Sequence, residues 1–302
     1  MKRFLAAIGS FLLRALLRCV GVLPRGCLCA LSNALAFLAG SVVGYRRKVV
    51  MGNLRKAFPE KEEKALRSIA AASYRNFFDT VLSILRIRYA SRRRVMRSVA
   101  YKNLSMMQQL YSKGKDGVLL AGHYSCWEYI GTVQPSIGHQ TVAAYQPTAF
   151  APLERVVTEA RSRFGAQMAV LKDVFRVLLA HQAKGELTMT LMVSDQSPAE
   201  GACSHWVRLL GQPTPVLVGP ERIAQKLNSA VMYLRITCPR RLCYEYELVM
   251  LSENAALEEP MAITKRFYAA LEEDIRRAPQ AWMWTHRRWK HQALYTGEVT
   301  LE

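Results

Sequence analysis

Acidic residues are scarce in the first third of this chain. Only Glu60, Glu62, Glu63 and Asp79 precede Asp116, against 23 lysines and arginines. From Asp116 onward 19 bases face 19 acids, so the whole formal excess of +19 falls in the N-terminal third. Metal-ligand spacing is missing as well. The seven cysteines, at 19, 27, 29, 126, 203, 238 and 243, form no CxxC and no Cys/His set. An odd count excludes a fully paired disulfide framework within one chain and suits reduced thiols in a cytosol-facing protein. No metal and no cofactor are expected. Zinc-finger spacing, the aromatic-basic signature of an RNA-recognition sheet and a helix-turn-helix are all lacking, which argues against nucleic acid as the partner of the basic third. An anionic lipid surface or an acidic carrier protein suits it better. There is no internal repeat, low-complexity tract or long linker. With 302 residues, 51% of them hydrophobic, the chain is long enough for one large domain with an extension.

A clean apolar run of about 20 residues is the last absence. Residues from Phe4 to Val43 are mostly apolar, but Arg14, Arg18 and Arg25 interrupt them and Pro24 breaks the middle. Arg14 and Arg18 spoil a cleaved signal peptide. Three readings remain. A single spanning helix would run from about Cys27 to Gly44. An interfacial amphipathic helix would cover Phe4 to Val22, with arginines at the headgroups. A buried helix pair is the third. The expectation is membrane attachment by an interfacial helix followed by a short apolar one. Basic residues flank both ends, so charge asymmetry does not orient it.

What the chain does contain is an alternation of helix and strand signals. Arg46 to Phe58 and Glu60 to Leu85 read as helices, and Arg92-Arg93-Arg94 as a solvated or lipid-facing charge run. Apolar runs at Val118–Ala121, Gln140–Ala144, Ala169–Leu171, Thr188–Val193, Ala230–Ile236 and Tyr244–Leu251 read as strands. Helices are expected after Ser125 and at Pro152–Phe164, Val174–Lys184, Glu221–Asn228 and Met261–Arg277. The predicted fold is α/β, a mixed central sheet flanked by helices, with an N-terminal apolar and amphipathic helical membrane anchor.

The stretch Gly122-His123-Tyr124-Ser125-Cys126-Trp127-Glu128 follows the first of these strands. On one continuous helix, positions five apart point roughly 140° away from each other. His123 and Glu128 can therefore meet only if the backbone turns between them, with Ser125 as a plausible cap. A carboxylate on one imidazole nitrogen would fix the tautomer and leave the other nitrogen as a base. The alternative is a satisfied structural histidine. Cys126 is read as a packing residue rather than a nucleophile. His123, Tyr145-Gln146-Pro147 and Asp195-Gln196 all come just after predicted strands; if those strands are parallel neighbours, the three groups share one rim.

These parts, with Arg161-Ser162-Arg163-Phe164-Gly165, Leu210-Gly211-Gln212-Pro213-Thr214, Trp284-Thr285-His286-Arg287-Arg288-Trp289-Lys290 and Asn53-Leu54-Arg55-Lys56-Ala57-Phe58-Pro59, resemble the lipid A biosynthesis acyltransferase family, the late lauroyl and myristoyl transferases within the His-x4-Asp/Glu glycerolipid acyltransferases. The resemblance runs from about Tyr45 to Lys290. It implies transfer of an acyl chain from an acyl carrier protein thioester to a hydroxyl of an acylated glucosamine disaccharide, a lipid A precursor, at the bacterial inner membrane. The catalytic domain (45–302) would face the cytoplasm and residues 1–44 would attach it. By the match of motifs, His123 would be the general base and Glu128 its orienting carboxylate. Arg161 and Arg163 would bind phosphate or the oxyanion. Asp195 and Gln196 would orient substrate or neighbouring basic groups, and His286, Arg287 and Arg288 could clamp a phosphate. Gln146 stands where many relatives place a basic residue. The rival readings are an acyl-CoA-dependent acyltransferase of another glycolipid or lysophospholipid, and a non-catalytic binder of anionic membrane or nucleic acid.

Overall fold

A computed structural model describes residues 13–147 and 151–297. The part of the expected interfacial helix that precedes residue 13 lies outside the described residues; helix α1 covers 13–22. Pro24 separates it from α2 (Arg25–Phe37), which runs on through one π-helical stretch at Leu38–Val42. Then come α3 (Arg47–Ala57) and the 27-residue α4 (Glu63–Tyr89). The charge run forms a short helix, α5 (Arg92–Met96), capped by the Ser91 hydroxyl, which accepts from the Arg94 amide.

The remaining elements build the α/β body. They are β1 (Val99–Lys102), α6 (Ser105–Ser112), β2 (Gly117–Ala121), β3 (Gln140–Tyr145), α7 (Ala151–Ser162), β4 (Gln167–Val170), α8 (Val174–Gln182), β5 (Thr188–Val193), β6 (Trp206–Leu209), β7 (Gln212–Pro215), α9 (Gly219–Lys226), β8 (Ala230–Arg240), β9 (Cys243–Ser252) and α10 (Ala262–Arg277). Seven strands form one sheet in the order β1-β9-β8-β2-β5-β3-β4. Only the β8–β9 pair is antiparallel, so the sheet is mixed, as expected. Every residue of β2 is buried, the mark of a central parallel strand covered on both faces. Strand β9 alternates instead, with Tyr244, Tyr246 and Leu248 inward and Glu245 and Glu247 toward its edge partner or solvent.

Three local features differ from expectation. β1, at the sheet edge, is too short and too charged in its surroundings to stand out as a strand. Leu210 and Gly211 both adopt positive φ (52° and 75°) and close a two-residue hairpin between β6 and β7, a turn whose twist matches its strands. The segment after Cys126 is a 3-10 stretch, Trp127–Ser136, not an α-helix. Pro135 inside it has no N–H to extend an α-helical ladder. Ser125 is not its cap: its φ is 52° and its hydroxyl has no partner.

The first helices lie close on α4. A Cβ at Gly21 would meet the Leu85 carbonyl oxygen at 2.5 Å, and one at Gly40 would meet the Tyr74 ring at 2.8 Å. Only glycine permits these approaches. Trp282, Trp284 and Trp289 pack against one another and are buried, so they serve the core rather than a lipid interface.

Candidate active site

Strands β2, β5 and β3 are parallel neighbours, so their C-terminal ends open on one rim. His123 follows β2 by one glycine, Asp195 and Gln196 follow β5 by one serine, and Tyr145 ends β3. The expected sharing of a rim is met. Gln146 and Pro147 are exposed at its edge.

The turn carrying His123 is stitched to the C-terminal segment by backbone bonds. Ser125 N donates to Ala281 O (2.7 Å), Met283 N donates to His123 O (3.0 Å), and Tyr124 and Trp282 form an antiparallel bridge. Gly122 lies under α10, where a Cβ would meet Leu271 Cδ1 at 2.7 Å and Asp195 Oδ2 at 3.6 Å. The C-terminal segment is itself moored to α3: the Asn53 amide donates to the carbonyls of Trp284 (2.9 Å) and His286 (2.8 Å). This explains the Asn53–Pro59 block as the fastening of the segment that holds the His123 turn.

The expected contact between His123 and Glu128 is not made. Glu128, 4% exposed, takes a bidentate pair from Arg161, Nε to Oε2 at 2.8 Å and Nη2 to Oε1 at 2.7 Å. A carboxylate buried among apolar neighbours needs such a counter-charge, and the 3-10 geometry directs it to α7 rather than back across the turn. The carboxylate on His123 is Asp195. Its Oδ1 lies 2.6 Å from His123 Nδ1 and also accepts the His123 backbone N–H (3.0 Å). Its Oδ2 accepts from Trp282 Nε1 (2.8 Å) and Arg288 Nη2 (3.1 Å). Asp195 is fully buried, and burial alone would raise its carboxyl; Arg288, His123 and the Trp282 N–H reverse this and hold it well below the usual carboxylate range. With Nδ1 donating to Asp195, Nε2 carries the lone pair, and the Gln196 side-chain amide lies 3.0 Å from it. The Trp127 ring meets the imidazole edge-on at 4.7 Å.

The other expected residues separate. Arg161 belongs to Glu128. Arg163 donates to the Ile87 carbonyl and stacks on Phe164, away from the imidazole, so it helps to fasten the end of α7 to α4. The three-residue clamp at 286–288 divides. The Ser197 amide donates to His286 Nε2 (3.2 Å), and burial followed by the Arg288 charge pushes the His286 pKa down to about 4. Arg287 is exposed. Arg288 is buried, stacked 4.6 Å over Trp282, and donates from Nη2 to Asp195, while its Nε and Nη1 have no partner. Cys126 is wholly buried and its thiol is pushed up to about 12, so it is a packing residue. Among the described residues no cluster of His, Cys, Asp and Glu could hold a metal ion.

Sequence reasoning missed Trp127, Trp282 and Arg288 as neighbours of His123. Asp195 was expected on the same rim, but the carboxylate on His123 was expected to be Glu128. For the indole groups and Arg288 no local pattern points to the site, because their segment is brought back from the end of the chain.

The arrangement pairs an oriented imidazole with a buried, ionised carboxylate, which suits proton abstraction from a poor nucleophile such as an alcohol. Comparison with known proteins identifies the family. The family model described as bacterial lipid A biosynthesis acyltransferase matches residues 2–291. A lipid A biosynthesis acyltransferase of Haemophilus influenzae is 20% identical over 84% of this chain and 79% of its own length. Two Escherichia coli K12 enzymes are each 22% identical: the lipid A biosynthesis lauroyltransferase, over 89% of this chain and 87% of its own, and the palmitoleoyltransferase, over 92% and 89%. With a family match spanning nearly its whole length, this chain belongs to the bacterial lipid A biosynthesis acyltransferases and is an acyltransferase.

Proposed function

We propose that this enzyme moves a fatty acyl chain from an acyl carrier protein thioester to a hydroxyl of a lipid A precursor, at the cytoplasmic face of the bacterial inner membrane. The observation that carries this reading is the Asp195–His123 dyad, with Nε2 of the imidazole as the acceptor nitrogen. His123 Nε2 takes the proton of the sugar hydroxyl as the oxygen attacks the thioester carbonyl. The tetrahedral intermediate then expels the thiolate, which takes the proton back from the imidazolium, leaving the ester, the free thiol and neutral His123. Asp195 stabilises the imidazolium between these steps, and Arg288 balances the carboxylate charge. The Gln196 amide is the polar group nearest the reacting proton, and the incoming hydroxyl would take its place on Nε2. Glu128 and Arg161 act as a brace that holds the 3-10 segment and the end of α7 together beside the His123 turn.

Membrane attachment is supported by the first helices. Arg25–Val42 is one apolar helical stretch of 18 residues, and only 17% of it is buried. Phe37, Val42 and Val43 are 65%, 64% and 68% exposed, a cost in water that acyl chains would remove. The surplus of positive charge in the same third suits both an anionic leaflet and an acidic carrier.

The test is transfer by purified enzyme to a lipid A precursor, comparing acyl carrier protein and coenzyme A thioesters of the same chain. Transfer from the carrier and its loss in His123→Ala support the reading. Transfer from coenzyme A alone, or full activity in His123→Ala, overturns the donor or the base respectively. Deletion of the protein should leave a lipid A lighter by one acyl chain in mass spectra.

A further inference from the structure

Between the end of α2, the first turns of α3 and α4 lies an open cavity of about 350 Å³. Arg47 lines it from α3, and Arg67 and Arg75 from α4, together with Asn33, Ser41 and Tyr74. No acidic side chain lines it. Arg67 has one long contact with Glu63, at 3.4 Å, while Arg47 and Arg75 have no carboxylate partner among the described residues. The Asn33 Oδ1 is occupied by Arg241 Nη1 at 2.8 Å, so its amide nitrogen remains as a donor. The Tyr74 hydroxyl donates to the Tyr45 carbonyl. The lining thus offers guanidinium and amide donors with no carboxylate among them, only the long Glu63 contact competing for Arg67, and three like charges that an anion would relieve. Arg47 opens α3, which has no acid in its first turn, so the positive end of the helix dipole is not offset there.

The cavity adjoins the exposed apolar flank of the first helices. Phe37 is part of its lining, and Val42 and Val43 continue beyond it. A ligand that fits carries a phosphate beside acyl chains. None of His123, Asp195, Gln196 or His286 lines the cavity, so it is separate from the catalytic rim.

We propose that this cavity binds the phosphate of an anionic phospholipid head group, a docking site by which the enzyme recognises membrane charge away from its reacting centre. The inference rests on the membrane reading of α2 given above.

The full-length protein is tested against vesicles of phosphatidylcholine alone and of phosphatidylcholine mixed with phosphatidylglycerol. The wild type should prefer the mixed vesicles. An Arg47→Gln/Arg75→Gln variant should lose about 30-fold of that preference, roughly fivefold per arginine. Its binding to neutral vesicles and its transfer rate in detergent should stay unchanged. A control variant, Arg93→Gln/Arg97→Gln, alters exposed arginines outside the cavity and should keep the preference within about twofold. Equal losses in both variants would make the effect diffuse surface charge and overturn the site. A rise in acceptor KM in detergent for Arg47→Gln/Arg75→Gln would assign the cavity to the acceptor's own phosphate instead. Wild-type binding to both vesicles alike leaves the anchor standing and removes the head-group site; binding to neither removes both.

Discussion

His123 Nδ1 stands 2.6 Å from Oδ1 of Asp195, a carboxylate 72 residues away in the chain, while Glu128, five residues away, is turned toward Arg161. The His-x4-Glu pattern therefore joins two different devices on one turn. His123 belongs to a dyad with the strand-end aspartate. Glu128 belongs to an ion pair that fastens the turn to α7.

The dyad predicts a large effect from a small change. Asp195→Asn replaces a carboxylate by an amide of the same size, which removes the charge that stabilises the imidazolium and leaves one acceptor oxygen where donors now meet two. Turnover should fall by about 10⁴-fold, with acceptor KM little altered. Steady-state transfer by the purified variant checks this, and a loss under tenfold would remove Asp195 from the mechanism.

The Glu128–Arg161 pair predicts coupling in stability rather than in chemistry. Glu128→Gln and Arg161→Met each leave one charge without its partner and should cost about 2–4 kcal/mol. The double variant should recover much of that loss, because no unpaired charge remains. Urea unfolding of the three variants measures the coupling energy. Additive losses would mean that the pair is not the brace described.

Gly122 predicts a rescue. In Gly122→Ala the new methyl would press on Leu271, displacing the residue before His123 and costing about 1–3 kcal/mol. Leu271→Ala alone opens a cavity, but the double variant gives the methyl room. Its transfer rate should exceed that of Gly122→Ala. If it does not, the close approach of α10 is not what requires glycine there.

His286 predicts an acid-sensitive component of stability. Its pKa is depressed from the ordinary 6.5 to about 4 in the fold. Between these values the unfolded chain binds more protons than the folded one, so this group lowers stability as pH falls from about 6.5 to about 4. His286→Gln should flatten the fall in melting temperature across that window, which thermal scans at several pH values would show.

Much of the architecture is legible along the chain. The strand Thr188–Val193 is bounded as expected, and α10 differs from its expected start by one residue. Long apolar runs between turn residues leave few alternatives, because a parallel strand buried on both faces tolerates almost nothing else. The hairpin at Leu210–Gly211 was missed because half of its positive-φ turn is a leucine, a residue with no preference for that conformation. The 3-10 segment was missed because its apolar residues match a helical period while Pro135 acts only through the backbone.

Composition and order along the chain sufficed to place a basic, partly apolar N-terminal third ahead of an α/β body, and to single out His123 at a strand end as the candidate base. Those properties are local: charge, hydropathy and the residue after a strand are set by neighbours in sequence. The partner of that histidine was decided only by tertiary structure. It depends on β5 being inserted between β2 and β3, and on the C-terminal segment returning to bring Trp282 and Arg288 onto the same carboxylate. Hydrogen bonds have short reach, so which of two carboxylates an imidazole meets is a matter of a few ångströms that only the assembled sheet can settle.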